Sequence, residues 1–255
     1  MYPKLFGVLD SYATMMFLGV ILGVTLFEIY FRKHLKESRR IFYLEVPLLA
    51  AIILGMAGAY LFQNLYDFIE DPAHFKWSWS LTFLGGLLTA VVAFFVVFFL
   101  YSRKRYPEGL KPFFRIFPAS LVGGHALGRI GCFLEGCCYG VPTDAWFGVK
   151  FTTTATKVVP TNLFEACFLF VLFAVFAFLA FKKEKASDFS MPAYMLAYGA
   201  WRFGIEYVRG DHRGELLPGL SPSQFWSLLL MVGGAVYLGI LIYREVKKSK
   251  EKPAS

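Results

Sequence analysis

The sequence predicts an all-α protein that crosses a membrane about seven times as one integral domain over residues 1–255. Three observations lead there. The chain is 57% hydrophobic and 19% aromatic but only 17% charged, a balance that belongs to membrane proteins. Its apolar residues gather in runs near the roughly 20 that a helix needs to cross a bilayer. Basic residues alternate sharply in density between those runs. Helices are therefore expected at about 12–31, 41–66, 79–101, 113–135, 163–181, 190–208 and 222–243.

The charge pattern sets an orientation. Segment 32–40 holds five Lys and Arg, 102–112 four, 182–190 three and the basic tail 244–255 five. The intervening segments on the other face hold six in total. Basic loops stay on the cytoplasmic side, so the N-terminus is expected outside and the C-terminus in the cytoplasm. The net charge of +8 follows from this placement and gives no basic nucleic-acid face. The opening M-Y-P-K-L-F-G-V-L-D has no charged n-region before a short apolar core, so the first run reads as a retained span.

Span one enters from outside with Tyr12, either an aromatic-belt anchor or a site residue. Span three opens W-S-W-S-L-T-F-L-G-G-L-L, where Gly85 and Gly86 admit a neighbouring helix or a lipid headgroup. Span four climbs from Pro112 to H-A-L-G-R-I-G-C-F-L-E-G-C-C-Y-G (125–140), which puts Arg129 within about two turns of the outer surface. The outer arm 136–162 follows, with a β-branched stretch that suits a short hairpin. Asn162 and Glu165 add polar groups at the start of span five. Span six carries Tyr198, Arg202 and Glu206 at spacings of four, along one face. The charged, glycine-rich loop 209–221 reads as a flexible cover or as a plain solvated loop.

An arginine facing hydrocarbon is costly, so Arg129 and Arg202 demand partners. An ion pair with Glu206 accounts for Arg202. One carboxylate does not comfortably serve two guanidiniums, and a shared anion would. A lipid phosphate fits the planar fork of donors that guanidinium offers. Gly128, Gly131, Gly136 and Gly140 then mark places where chain or ligand comes close to the backbone. Glu135 lies close to Arg129 in sequence and is an alternative proton acceptor to Glu206.

Cys132, Cys137 and Cys138 cluster in sequence, and Cys167 stands apart. C-x4-C-C is not a standard zinc spacing, and a continuous helix would scatter the ligands. The cysteines are read as packing residues with no metal, and an oxidised or redox role stays open.

Together these residues resemble the bacterial prolipoprotein diacylglyceryl transferases. The likeness rests on Y-x-x-M at Tyr12, the double glycine, G-R-I-G-x-F at 128–133 running to Gly140, P-T-N-L-F-E at 160–165 and Y-G-A-W-R-F-G-I-E-Y-V-R at 198–209. The resemblance implies an enzyme in the bacterial inner membrane with its site facing the outer leaflet; no cofactor is expected, and a site built by one chain suits a monomer. It implies transfer of a diacylglyceryl group from phosphatidylglycerol to the lipobox cysteine in the signal peptide of a preprolipoprotein. A thioether forms and glycerol phosphate leaves. Arg129 and Arg202 would bind the headgroup, Glu206 would act as base and Tyr198 would position. Tyr12, Gly85, Gly86, Gly128, Glu135, Gly140 and Asn162 would line the substrate site.

The chain departs from the family where a histidine precedes the double glycine, here Leu84. It also departs at Cys132 for asparagine, Cys137 for an acidic residue, and Val159 and Asn162 within the H-P-x-Q-L-Y-E motif. These changes spare the phosphate-binding half and alter the half that handles the proton. The alternative reading is a divergent lipid-binding paralogue without chemistry, its cysteines serving a redox or metal role. Transport is disfavoured, because the polar groups gather at one face.

Overall fold

A computed structural model describes residues 4–5, 9–35, 38–79, 82–210 and 219–251. The side chain of Leu84 and residues 211–218 of the outer loop lie outside this set. The chain divides into two compact units, one of Met1–Tyr30 with Phe114–Ser255 and one of Phe31–Phe113.

Strands β1 (Lys4–Leu5) and β2 (Leu9–Asp10) pair antiparallel ahead of α1 (Ser11–His34). Asp10 starts that helix by accepting from Ala13 N at 2.7 Å, which satisfies one of the free amides of the first turn. There follow α2 (Ser38–Glu70), α3 (Phe83–Val97) with a π-helical turn to Ser102, α4 (Leu110–Glu135), α5 (Thr161–Lys182), the short α6 (Glu184–Ser187), α7 (Ser190–Ile205) and α8 (Pro222–Lys250). Helices thus form over each of the seven apolar segments. Five of them, α1, α2, α3 with its π turn, α5 and α8, are long and apolar enough to cross a membrane. The other two carry the polar groups: α4 holds Arg115, His125 and Arg129, and α7, at 16 residues, holds Arg202.

In the Phe31–Phe113 unit, α2 and α3 lie close because small residues face each other. A Cβ on Gly55 would come within 2.8 Å of Ala90 Cβ, and one on Gly58 would collide with the Thr89 side chain. In lipid such contact stabilises through dispersion rather than burial from water. The helix expected from residue 79 starts instead at Phe83. Buried Asn64 on α2 accepts from Ser78 N at 2.9 Å and donates to Ser78 O at 3.0 Å, which occupies both backbone groups of that residue outside a helix.

In the other unit α4 is flanked by α1 and α5. Gly19 on α1 and Gly124 on α4 bring the backbones together, since a Cβ on Gly19 would lie 3.1 Å from Gly124 Cα. Next to it, the space beside Gly123 is filled by Phe173 of α5 and Leu22 of α1. Phe168 of α5 stacks on Trp201 of α7 with centroids 4.4 Å apart, and Gly199 of α7 receives Met231 of α8. Near the N-terminal end of α4, Arg115 donates to Asp188 at 2.5 Å and to Glu184 at 2.6 Å. The arm after α4 is mostly irregular, and the expected hairpin survives as isolated bridges pairing Pro142 and Val149 with Val158.

Candidate active site

The chemistry concentrates in the unit that contains α4, α5, α7 and α8, in three neighbouring groups. The first centres on Glu165, one turn into α5 and 1% exposed. Its Oε1 lies 3.0 Å from Arg129 Nη2 and accepts from the Tyr198 hydroxyl at 2.8 Å. His125 Nε2 is 3.8 Å from the same oxygen, and its ring meets that of Tyr198 edge-on at 5.1 Å. His125 and Arg129 share a face of α4 because they are four residues apart. Arg129 Nε remains buried without a hydrogen-bond partner among the described residues. A buried guanidinium with one carboxylate and a spare N–H is equipped to take a second anion.

The second group sits where α7 ends. Arg202 donates to Glu206 Oε2 at 2.6 Å and to Ser223 Oγ at 2.7 Å. Glu206 Oε1 accepts from Ser221 Oγ at 2.9 Å, and Arg209 Nε stands 3.7 Å from Oε2. Ser221 also accepts from Gln224 N, and Gln224 in turn accepts from Ser221 N, so the capping box that begins α8 supports the Arg202–Glu206 pair. Helix α7 stops at Ile205, so Glu206 belongs to the 3-10 turn Glu206–Val208 rather than to a helix running to residue 208.

The third group is the cysteine turn. Helix α4 ends at Glu135 and Gly136 takes a φ of 78°, a left-handed conformation that glycine adopts freely. Cys138 also has positive φ, 58°. The chain doubles back, and the sulfurs of Cys132, Cys137 and Cys138 lie within 4.8 Å of one another. The expectation that a helix would scatter them fails because the helix is already over at the second and third cysteine. Hydrogen bonds from Cys132 and Cys137, and then the Arg209 guanidinium, hold Cys138 well below the ordinary thiol range. The Cys137 thiol is pushed up, first by its hydrogen bonds with Cys132 and Cys138 and then by burial.

The remaining residues singled out from the sequence divide clearly. Tyr12 packs on Gly131, where a Cβ would lie 3.1 Å from its ring, and its hydroxyl is within electrostatic reach of Arg129 and all three cysteines. Gly128 faces Met16 Sδ. Glu135 has one carboxylate oxygen buried without a partner among the described residues. Asn162, 1% exposed, donates to Cys137 O at 2.8 Å and accepts from Leu163 N, so its amide supports the cysteine turn. Gly140 pairs with Arg209 across an antiparallel bridge, and a Cβ there would strike Val208 O. Gly85 and Gly86 lie in the other unit, covered by Phe62 and by Ala59 and Gly55 of α2, so helix packing is the role documented for them.

Two residues of weight were underread in the sequence. Glu165 was noted as a polar group but not as the counter-ion of Arg129, although it occupies the last place of P-T-N-L-F-E. With it, each arginine has its own carboxylate, Glu165 for Arg129 and Glu206 for Arg202, so no single carboxylate serves both. His125, the first residue of the 125–140 segment, faces Glu165 and Tyr198.

Helices of spanning length around a buried centre of guanidinium, carboxylate, phenol and thiol groups define a multi-pass membrane protein with an internal polar site. The sequence profile of the prolipoprotein diacylglyceryl transferase family matches residues 4–240. The chain belongs to this family of transferases. It is 30% identical over 248 residues to the phosphatidylglycerol–prolipoprotein diacylglyceryl transferase of Clostridium tetani, covering 95% of this chain and 97% of that protein. It is 31% identical over 257 residues to the enzyme of the same name from Dehalococcoides mccartyi, covering 96% and 92%. A Clostridium perfringens protein, phosphatidylglycerol–prolipoprotein diacylglyceryl transferase 2, is 29% identical over 262 residues, covering 98% of each chain.

Proposed function

We propose that this protein moves the diacylglyceryl group of phosphatidylglycerol onto the cysteine thiol of a prolipoprotein, in the outer leaflet of the bacterial cell membrane. In this reading all seven long helices span the bilayer, the N-terminus lies outside, and the site opens near the extracytoplasmic surface. The names of the relatives support the reaction class. The observation that carries the site is the buried, unpartnered Nε of Arg129 beside Glu165 and Tyr198.

Arg129 is the phosphate ligand here, because its buried Nε has no partner among the described residues, whereas Glu206 and Ser223 hold Arg202 in place. Arg202 serves as a second, fixed positive charge. As the carbon–oxygen bond of the lipid breaks, negative charge grows on the departing glycerol phosphate, and fixed cations stabilise that state more than the ground state. Glu206, engaged by Arg202 and Ser221, works as the counter-ion that holds Arg202 rather than as the base. Tyr198 and Glu165 orient Arg129.

The test is complementation of a bacterium depleted of its own transferase, with mass spectrometry of a reporter lipoprotein. A diacylglyceryl adduct on the reporter cysteine is the expected result. An unmodified reporter beside a well-expressed, membrane-inserted protein overturns the proposal.

A further inference from the structure

We infer that Cys132, Cys137 and Cys138 form a three-thiolate site for a zinc-class divalent cation, whose fourth coordination position takes the acceptor thiol of the transfer reaction. The inference rests on the function proposed above for its substrate and on the cysteine turn for its geometry.

Zinc–sulfur bonds of about 2.3 Å place the sulfurs of a tetrahedral site roughly 3.8 Å apart. The three sulfurs already lie within 4.8 Å of one another, so small side-chain rotations close them on an ion. The turn that brings them together is built. Thr161 Oγ1 donates to Cys138 O at 2.9 Å, Asn162 Nδ2 to Cys137 O at 2.8 Å and Thr153 Oγ1 to Gly136 O at 3.1 Å. These bonds hold Cys138 in a left-handed backbone conformation that a side-chain-bearing residue adopts only when its surroundings enforce it. Cys132 is buried while Cys137 and Cys138 are half-buried, which leaves one side open to a fourth ligand. Three thiolates and one divalent cation carry a net charge of −1, and the buried Arg209 guanidinium beside Cys138 offsets it.

Three protein ligands with an open fourth position are the arrangement of a catalytic zinc site rather than a structural one. A thiol that coordinates the ion loses its proton outright, here to water at the membrane surface, and stays a nucleophile. The bound sulfur attacks the glyceryl carbon of the lipid and forms the carbon–sulfur bond. The carbon–oxygen bond breaks, its electron pair stays on the phosphate oxygen, and glycerol phosphate leaves as the phosphomonoester beside Arg129. No oxidant or reductant takes part.

The full chain, reduced and stripped of metal in phosphatidylglycerol-containing nanodiscs, is titrated with Co(II) and then Zn(II). We expect one ion per chain, a sulfur-to-cobalt charge-transfer band, and protection of the three cysteines from alkylation. Affinity should fall about tenfold or more in Cys137→Ser and Cys138→Ser and be unchanged in Cys167→Ser, whose cysteine is exposed on α5. A peptide with one cysteine should shift the cobalt spectrum, and chelation should remove transfer activity that Zn(II) restores. No binding beyond that of a variant keeping only Cys167 overturns the inference, as does a stable disulfide seen as a loss of about 2 Da in the non-reduced chain. Full transfer by the stripped chain overturns it too, and leaves the proposed function standing. A metal-loaded chain that binds the thiol peptide yet never transfers lipid overturns the transfer reading and the catalytic half of the inference, while the metal site itself stands.

Discussion

Glu165 on α5 holds Arg129 on α4 through a 3.0 Å contact between Oε1 and Nη2. The same oxygen accepts from Tyr198 on α7, so one carboxylate joins three helices at the centre of the polar site. Deleting one side of such a pair leaves an uncompensated buried charge, which costs about 3–5 kcal/mol. Glu165→Gln should therefore lower the thermal midpoint of the purified protein markedly. The double variant Glu165→Gln with Arg129→Met should recover much of that loss. A thermal-shift double-mutant cycle in detergent reads the coupling.

Tyr198→Phe removes a single donor to a charged acceptor. The expected loss is about 1.5–3 kcal/mol of stability or transition-state support. Glu165 then keeps Arg129 but loses its tether to α7. Single-turnover transfer with labelled phosphatidylglycerol should slow by about ten- to a hundredfold in this variant.

Arg129→Lys keeps the charge and removes the planar fork, whose Nε is the spare donor. Transfer should drop by about a hundredfold or more, the size of an effect on a charge-stabilising donor. Arg202→Lys should cost less in rate and more in stability, because Glu206 and Ser223 fix its geometry. Rates and unfolding midpoints measured side by side test that division.

Gly140→Ala places a methyl group against Val208 O, with Thr161 Cγ2 and Val159 Cβ each 2.9 Å away. Overpacking of this kind costs about 1–3 kcal/mol. The bridge between Gly140 and Arg209 should open, and limited proteolysis should cut the 136–162 arm faster than in the parent chain.

The proposed orientation predicts that a fluorescent protein fused after the basic tail glows in the cytoplasm. Alkaline phosphatase fused within 143–157 should be active outside. The reverse pattern would invert the topology.

The helices were legible because the apolar runs that solvate in lipid are the runs that become helical. Boundaries failed where a side chain competes for the backbone, as Asn64 does at Ser78 ahead of α3. The Tyr198 and Arg202 face was readable from spacing alone, since α-helical periodicity puts them in line, while Glu206 meets Arg202 from the 3-10 turn that follows α7. Their partners were not. Glu165 lies 36 positions from Arg129, and only folding reveals that it is the carboxylate facing that guanidinium. The end of α4 at residue 135 was legible, but the turn beyond it was not: the positive φ of Gly136 and Cys138 folds the chain back and gathers the three thiols.

Helix α4 is riveted at two heights, by Arg115 to Glu184 and Asp188 and by Arg129 to Glu165. Sliding by one residue would move it about 1.5 Å and turn it about 100°, tearing out both rivets at once. It is a fixed post, and in the proposed reaction the movement that admits lipid and peptide falls to the parts of the protein around it.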